Sequence, residues 1–177
     1  MIRDVFAEGP KEHLDIAPED VGLQPRDSWY RQAREVAARE PASRDSWSGE
    51  QLAAWNAMMS LADVKSEGGV LRARAASNDP AFTLDGLRLR ASRYGKVLVE
   101  MRVSRPGGAQ VFWSTVSQPS TSETSSLTLP TAGDDQFHRY VFEVAKNESW
   151  SGCVTSLRLD PTAESGVVVE IRSIRLE

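Results

Sequence analysis

The feature that most constrains this chain is the run Lys96–Val103. Val97, Val99, Met101 and Val103 alternate with Lys96, Leu98, Glu100 and Arg102. Side chains of a strand point to opposite faces with period two, so this run buries its first set and turns the second outward. Shorter runs repeat the pattern. Leu71, Ala73 and Ala75 alternate with Arg72 and Arg74, and Leu87–Arg90 alternates Leu with Arg. Ala109–Val116 carries Phe112 and Trp113, and Thr124–Leu129 carries Leu127 and Leu129. Phe137–Val144 sets His138, Tyr140, Phe142 and Val144 on one side, and Arg158 stands between Leu157 and Leu159. Gly166–Leu176 ends the chain with Ile171 and Ile174. Turn signals separate the runs: Asn78-Asp79-Pro80, Pro106-Gly107-Gly108, Gly133-Asp134-Asp135 and Asp160-Pro161. Short strands spaced by turns, with no long helix between them, predict an all-β antiparallel sandwich and exclude a parallel α/β sheet.

The first 47 residues have a different texture. Pro10, Pro18, Pro25 and Pro41 punctuate a charged stretch with few β-branched residues. Asp27 or Ser28 can cap a helix after Pro25, Trp29, Ala33, Val36 and Ala37 share one helical face, and Pro41 ends it. The expected organisation is therefore an extension over 1–47, with one short amphipathic helix at about 27–40, followed by a sandwich over 48–177. The helix either docks on the sandwich through Trp29 or links it to an upstream domain. Residues 48–61 are open: Ser48 and Gln51 form a capping box, and Leu52, Trp55 and Met59 have helical spacing, yet the same stretch can lead into a first strand.

Charge and cysteine content remove several classes of function. The net charge of −4 argues against nucleic acid as the natural partner. Cys153 is the single cysteine, which rules out an internal disulfide and a cysteine-based zinc site. Its expected role is a small buried hydrophobe. His13 and His138 do not have metal-ligand spacing, and His138 is read as a neutral, hydrogen-bonded structural histidine. Met1–Pro10 has no apolar run, so no signal peptide is expected, and no segment is apolar enough for a membrane span.

The ordered set of motifs carries a resemblance. Trp55 is followed by Gly69-Val70-Leu71, Asn78-Asp79-Pro80, Val99–Ser104, Val111-Phe112-Trp113-Ser114-Thr115, His138-Arg139-Tyr140, Trp150-Ser151-Gly152, Leu157-Arg158-Leu159-Asp160-Pro161 and Ile171–Leu176. Over about residues 52–177 this resembles the galactose-binding-like jelly-roll modules attached to bacterial sulfatases, glycoside hydrolases and glycosyltransferases. The resemblance implies an eight- or nine-stranded jelly roll. It also implies a non-catalytic accessory role, holding a glycan or polysaccharide near a catalytic domain upstream in the same polypeptide. Related jelly rolls hold a structural calcium with acidic residues near the first strands and in the last. Here the last strand reads Glu170-Ile171-Arg172-Ser173, with an arginine where an aspartate would fit. No cofactor is therefore expected, and Asp79, Asp160 and Glu170 are the hard oxygen donors that remain.

No group of residues supplies nucleophile, base and orienting partner together, so the chain is not expected to be an enzyme. A sugar site pairs an aromatic platform with charged groups that hydrogen-bond hydroxyls. The ligand-binding candidates are Glu100, Arg102 and Arg158 on the outward faces of their strands, with Trp113 or Trp150 as platform. If the two strands are neighbours, their charges line one surface. The rival is a structural ion-pair cluster, and for Trp113 core packing is preferred. Trp150 is expected at a loop edge, and the hydroxyl-rich Ser114–Thr128 either lines a rim or is a long solvated turn. The alternative function is a structural or protein-interaction sandwich with no glycan site.

Overall fold

The computed structural model describes residues 44–177; the expected helix at 27–40 and Trp29 lie outside them. Among the described residues eleven strands form two antiparallel sheets, more than the eight or nine expected. They are β1 (Ser46–Ser48), β2 (Asn56–Met59), β3 (Leu61–Glu67), β4 (Val70–Ala75), β5 (Ala81–Arg90), β6 (Val97–Val103), β7 (Gly107–Thr115), β8 (Ser126–Thr131), β9 (His138–Phe142), β10 (Cys153–Asp160) and β11 (Val168–Leu176). The first sheet runs β3-β4-β11-β6-β9, with β1 added to β11. The second runs β2-β5-β10-β7-β8. Only β3–β4 and β7–β8 connect strands within one sheet; the other connections cross between the two. The β3–β4 link is Gly68-Gly69 with φ of +60° and +77°, the positive values that a tight two-residue hairpin requires. Pro130 is tolerated in β8 because that strand is an edge.

The alternation of β6 does what its sequence predicts. Val97, Val99, Met101 and Val103 are all buried between the sheets, in one core with Ile171 and Ile174 of neighbouring β11 and with Leu157 and Leu159 of the other sheet. Leu98, on the outward side, is buried as well; its cross-strand partners are Arg175 and Val141. Ile171 and Ile174 are three apart, so strict alternation would put them on opposite faces. An irregularity between Ile171 and Ser173 adds Arg172 to β11, and both isoleucines reach the core. A second one between Val154 and Ser156 does the same for Val154 and Leu157.

The open stretch 48–61 resolves as both alternatives. The backbone N–H of Ser48 donates to Gln51 Oε1 at 3.4 Å, but the helix is a single 3₁₀ segment, Gly49–Ala54, and Asn56 starts β2. The first described strand is Ser46–Ser48, and its Trp47 is buried edge-on against Trp55 at a centroid distance of 5.7 Å. Cys153 is buried, as expected. Among the described residues no helix is long and apolar enough to cross a membrane.

Candidate functional site

Each sheet has an outward face that carries polar chemistry. On the second sheet, β10 places Arg158 and Asp160 outward on either side of core residue Leu159. Its neighbour β7 places Gln110 and Phe112 outward around core residue Val111. The register sets Arg158 opposite Phe112 and Asp160 opposite Gln110. The Arg158 guanidinium therefore lies over the Phe112 ring, 5.0 Å from its centroid. It donates from Nε and Nη2 to the two oxygens of Asp160 at 2.7 Å each, and from Nη2 to Asp79 Oδ1 at 2.7 Å. This is the forked geometry in which arginine holds carboxylates best.

Around this group opens a cleft of about 540 Å³. Asn78 and Asp79 wall one side, Thr121, Ser122 and Glu123 the other, with Thr128 and Thr162 at its margins. Gln110 crosses the floor, donating from Nε2 to Glu123 Oε2 and Ser126 Oγ at 2.8 Å each. The hydroxyl-rich stretch expected as rim or solvated turn lines the cleft and is held by its own hydroxyls. Gln118 Nε2 donates to Ser122 Oγ at 3.0 Å, and Asn147 Nδ2 donates to Thr124 O at 3.1 Å. Burial pushes the Asp160 carboxyl above the usual carboxylate range, the hydrogen bond from Arg158 opposes it, and the charges of Asp79 and Glu123 add to it.

Glu100 and Arg102 lie on the other sheet, so the expected single surface shared with Arg158 does not form. Strand order in a sandwich is set by long-range pairing, and β6 and β10 fall in different layers. On the outer face of the first sheet, Glu170 is flanked across strands by Arg72 of β4 and Arg102 of β6. Arg72 Nη1 donates to Glu170 Oε1 at 2.8 Å and Arg102 Nε to Oε2 at 2.6 Å. Arg172, displaced by the β11 irregularity, donates to Glu100 Oε1 at 2.8 Å and stacks on Phe137 at 3.7 Å. Arg102 reaches the same ring at 5.2 Å. Arg139 is the cross-strand partner of Glu100, and Lys65 of Arg72; neither makes an ion pair among the described residues.

Neither tryptophan serves as a platform: Trp113 takes the core packing preferred for it, and the placement of Trp150 is corrected. Trp113 is fully buried, edge-on to Trp150 at 5.3 Å. Trp150 is buried too, instead of lying at a loop edge, and its Nε1 donates to the carbonyls of Ala91 and Tyr94 at 3.0 and 2.8 Å. Neither indole can meet a ligand. The aromatics at the outward faces are Phe112 and Phe137, which the sequence reading missed. Strand alternation held the signal for Phe112, since it shares parity with Gln110 and not with Val111. Asp79 and Asp160 converge on Arg158 while Glu170 sits on the other sheet, so the three remaining calcium donors do not meet. His138 Nε2 lies 2.9 Å from both oxygens of Asp134, the hydrogen-bonded role expected of it.

A pH prediction follows from Glu170. The hydrogen bond from Arg102 holds its carboxyl below the usual range, with the charges of Arg102 and Arg72 aiding and burial opposing. A depressed carboxylate contributes stability that is present above its unfolded pKa of ~4.3 and is lost as pH falls through the lower folded value. Asp160, raised by burial, acts in reverse: its contribution is full below the unfolded value and is lost as pH rises through the folded one. Melting temperature should therefore fall on acidification below about pH 4, and Glu170→Gln should flatten that limb. An unchanged acid limb in Glu170→Gln would mean that the pair contributes nothing.

No protein-family model and no curated protein sequence matches the chain. Among solved structures the chain is similar to family 29 carbohydrate binding modules. One mutant form aligns with a TM-score of 0.51 at 12% identity, over 70% of this chain and 81% of that one. A mutant complexed with cellulohexaose gives 0.50 at 12%, over 70% and 80%. Another, complexed with mannohexaose, gives 0.51 at 10%, over 70% and 81%. At such identities the likeness establishes architecture, and the chain shares the jelly-roll β-sandwich of the carbohydrate binding modules.

Proposed function

We propose that this domain is a non-catalytic carbohydrate-binding module that seats a glycan in the cleft on the second sheet and serves as an accessory to a catalytic domain. The observation that carries the proposal is the cleft itself: an open trough across a sheet face, with amide, hydroxyl, carboxylate and guanidinium groups turned into it. A pyranose presents a rim of hydroxyls that both donate and accept, and Arg158, Asp160, Asp79 and Gln110 supply matching partners. The jelly-roll relatives complexed with cellulohexaose and mannohexaose support a neutral hexose chain as ligand. Both central carboxylates are held by one guanidinium, which suits fixed recognition and not proton transfer. Phe112 lies under Arg158, so recognition is mainly polar and each site is weak. A weak site is useful when tethered, because it raises the local concentration of glycan at the partner domain.

The test is an NMR titration with cellohexaose and mannohexaose at millimolar concentration. Amides of Gln110, Thr128 and Arg158 should shift. Gln110→Ala should weaken binding about fivefold, the worth of one hydrogen bond of ~1 kcal/mol, and should cost about 1 kcal/mol of stability through the lost bonds to Glu123 and Ser126. Arg158→Ala should abolish binding and also cost about 1–3 kcal/mol of stability, because Asp160 is left largely buried without its partner. Cleft amides that stay still with both hexasaccharides would sink the proposal.

The alternative, an interaction domain, has one observation in its favour. Met58 and Met59 of edge strand β2 and Val64 of edge strand β3 are exposed apolar side chains on one side of the sandwich.

A further inference from the structure

The outer face of the first sheet has more cation than its own carboxylates neutralise. Lys65, Arg72, Glu170 and Arg102 form one row across β3, β4, β11 and β6, in cross-strand register. Arg172 and Arg139 flank Glu100 beside that row. Five cations thus surround two carboxylates, in a chain whose net charge is −4. Glu170 is largely buried and shared between two guanidiniums, while Arg72 and Arg172 keep about half of their side-chain surface exposed. Among the described residues, Arg72, Arg102 and Arg172 each engage only one or two of the five N–H donors on the guanidinium. Phe137, stacked by Arg172 and approached by Arg102, holds those two guanidiniums in place.

We infer that this face is a second binding surface, separate from the cleft, for a polysaccharide that carries carboxylates, with Arg72, Arg102, Arg139 and Arg172 as its anion-holding groups. Guanidinium forks match carboxylates in plane and in spacing of donors. At ~4.8 Å per strand, Lys65 and Arg72 stand one step apart and Arg72 and Arg102 two steps apart, with Glu170 between them. The interleaved Glu100 and Glu170 supply acceptors for sugar hydroxyls. They also disfavour a nucleic acid, as do Glu67 and Asp135 at the rims, because a phosphate on every nucleotide needs a denser and less interrupted field of cations. The choice of a glycan rests on the function proposed above; the anion-holding chemistry does not.

The experiment titrates the full chain with tetragalacturonate, cellohexaose and oligothymidylate, read by backbone amide shifts. Tetragalacturonate should shift the amides of Arg72, Arg102, Arg139 and Arg172 saturably, leave Gln110 and Arg158 in place, and bind more weakly as added salt shortens the screening length. The double variant Lys65→Ser/Arg139→Ser should weaken that binding about tenfold, at up to ~1 kcal/mol for each lost charge contact. Both residues are exposed and unpaired within the described chain, so the melting temperature should hold; Arg102→Ala is avoided because it removes one of the two partners of Glu170. The inference is overturned by a face that stays silent with tetragalacturonate, by shifts confined to the cleft, by oligothymidylate binding this face as tightly, or by a double variant that binds as the parent does. Cellohexaose reports on the cleft alone, so its failure, joined by that of mannohexaose, sinks the cleft and leaves this surface standing.

Discussion

Trp113→Ala should lower the unfolding free energy by about 4 kcal/mol, the range for emptying an aromatic site in a packed core. The indole is fully buried, opposite Leu157 in the β7–β10 register and edge-on to Trp150. Alanine there leaves a void between two sheets whose backbones are fixed by ladder hydrogen bonds, so little collapse can fill it. Trp113→Phe should cost much less, about 1–2 kcal/mol, because Trp113 Nε1 has no hydrogen-bond partner among the described residues and only volume is lost. Trp150→Phe removes a donor shared by two carbonyls and should cost about 1–3 kcal/mol. Urea unfolding followed by circular dichroism ranks the three. Should Trp113→Ala keep its stability and lose glycan binding, the indole would belong to a ligand site after all.

Local periodicity made the strands legible, because one strand's faces depend only on its own residues. Val97 to Val103 could be placed inward before any partner was known. The partition of strands between sheets could not be read in this way. It depends on which distant strand lies beside which, and β6 and β10 carry the same outward signature of arginine and carboxylate in different layers. Glu100, Arg102 and Arg158 were thus correctly placed as outward groups, while their grouping was wrong. The spacing of Ile171 and Ile174 held a clue that went unused: two core residues three apart in a strand demand an extra residue between them, and Arg172 is displaced there. Trp113 took the core place preferred for it, whereas Trp150, outside the strands, was misplaced and Phe112 was passed over. Sequence ranks an aromatic by chemistry, but whether it is platform or core depends on strand parity. Trp113 shares parity with Val111, and Phe112 with Gln110.

Gly133→Ala should be the most damaging single-methyl change in the described chain, at about 3 kcal/mol. The sequence marks Gly133-Asp134-Asp135 as a turn, and Gly133 has φ of +66°. The left-handed conformation alone costs a non-glycine residue roughly 1–2 kcal/mol. The larger part comes from a contact that no local pattern announces. A Cβ at 133 would lie 1.8 Å from Pro106 N and 2.1 Å from Arg105 C, inside the backbone of the β6–β7 turn. Backbone cannot swing aside as a side chain can, so the two turns must part, at about 1–3 kcal/mol for overpacking. Gly152→Ala provides the control: its φ is +67° and nothing lies within 4 Å of its Cβ position, so it should show the conformational cost alone, about 1 kcal/mol. Equal losses in the two variants would disprove the overlap. The same displacement should reach the first sheet's outer face, since the loop holding Gly133 also carries the Asp135 carbonyl, 3.5 Å from Arg102 Nη1, and then Phe137. Gly133→Ala should therefore shift the Arg102 and Arg172 resonances, and Gln110 as well, since the displaced turn leads directly into β7, while Arg158 on β10 should move least.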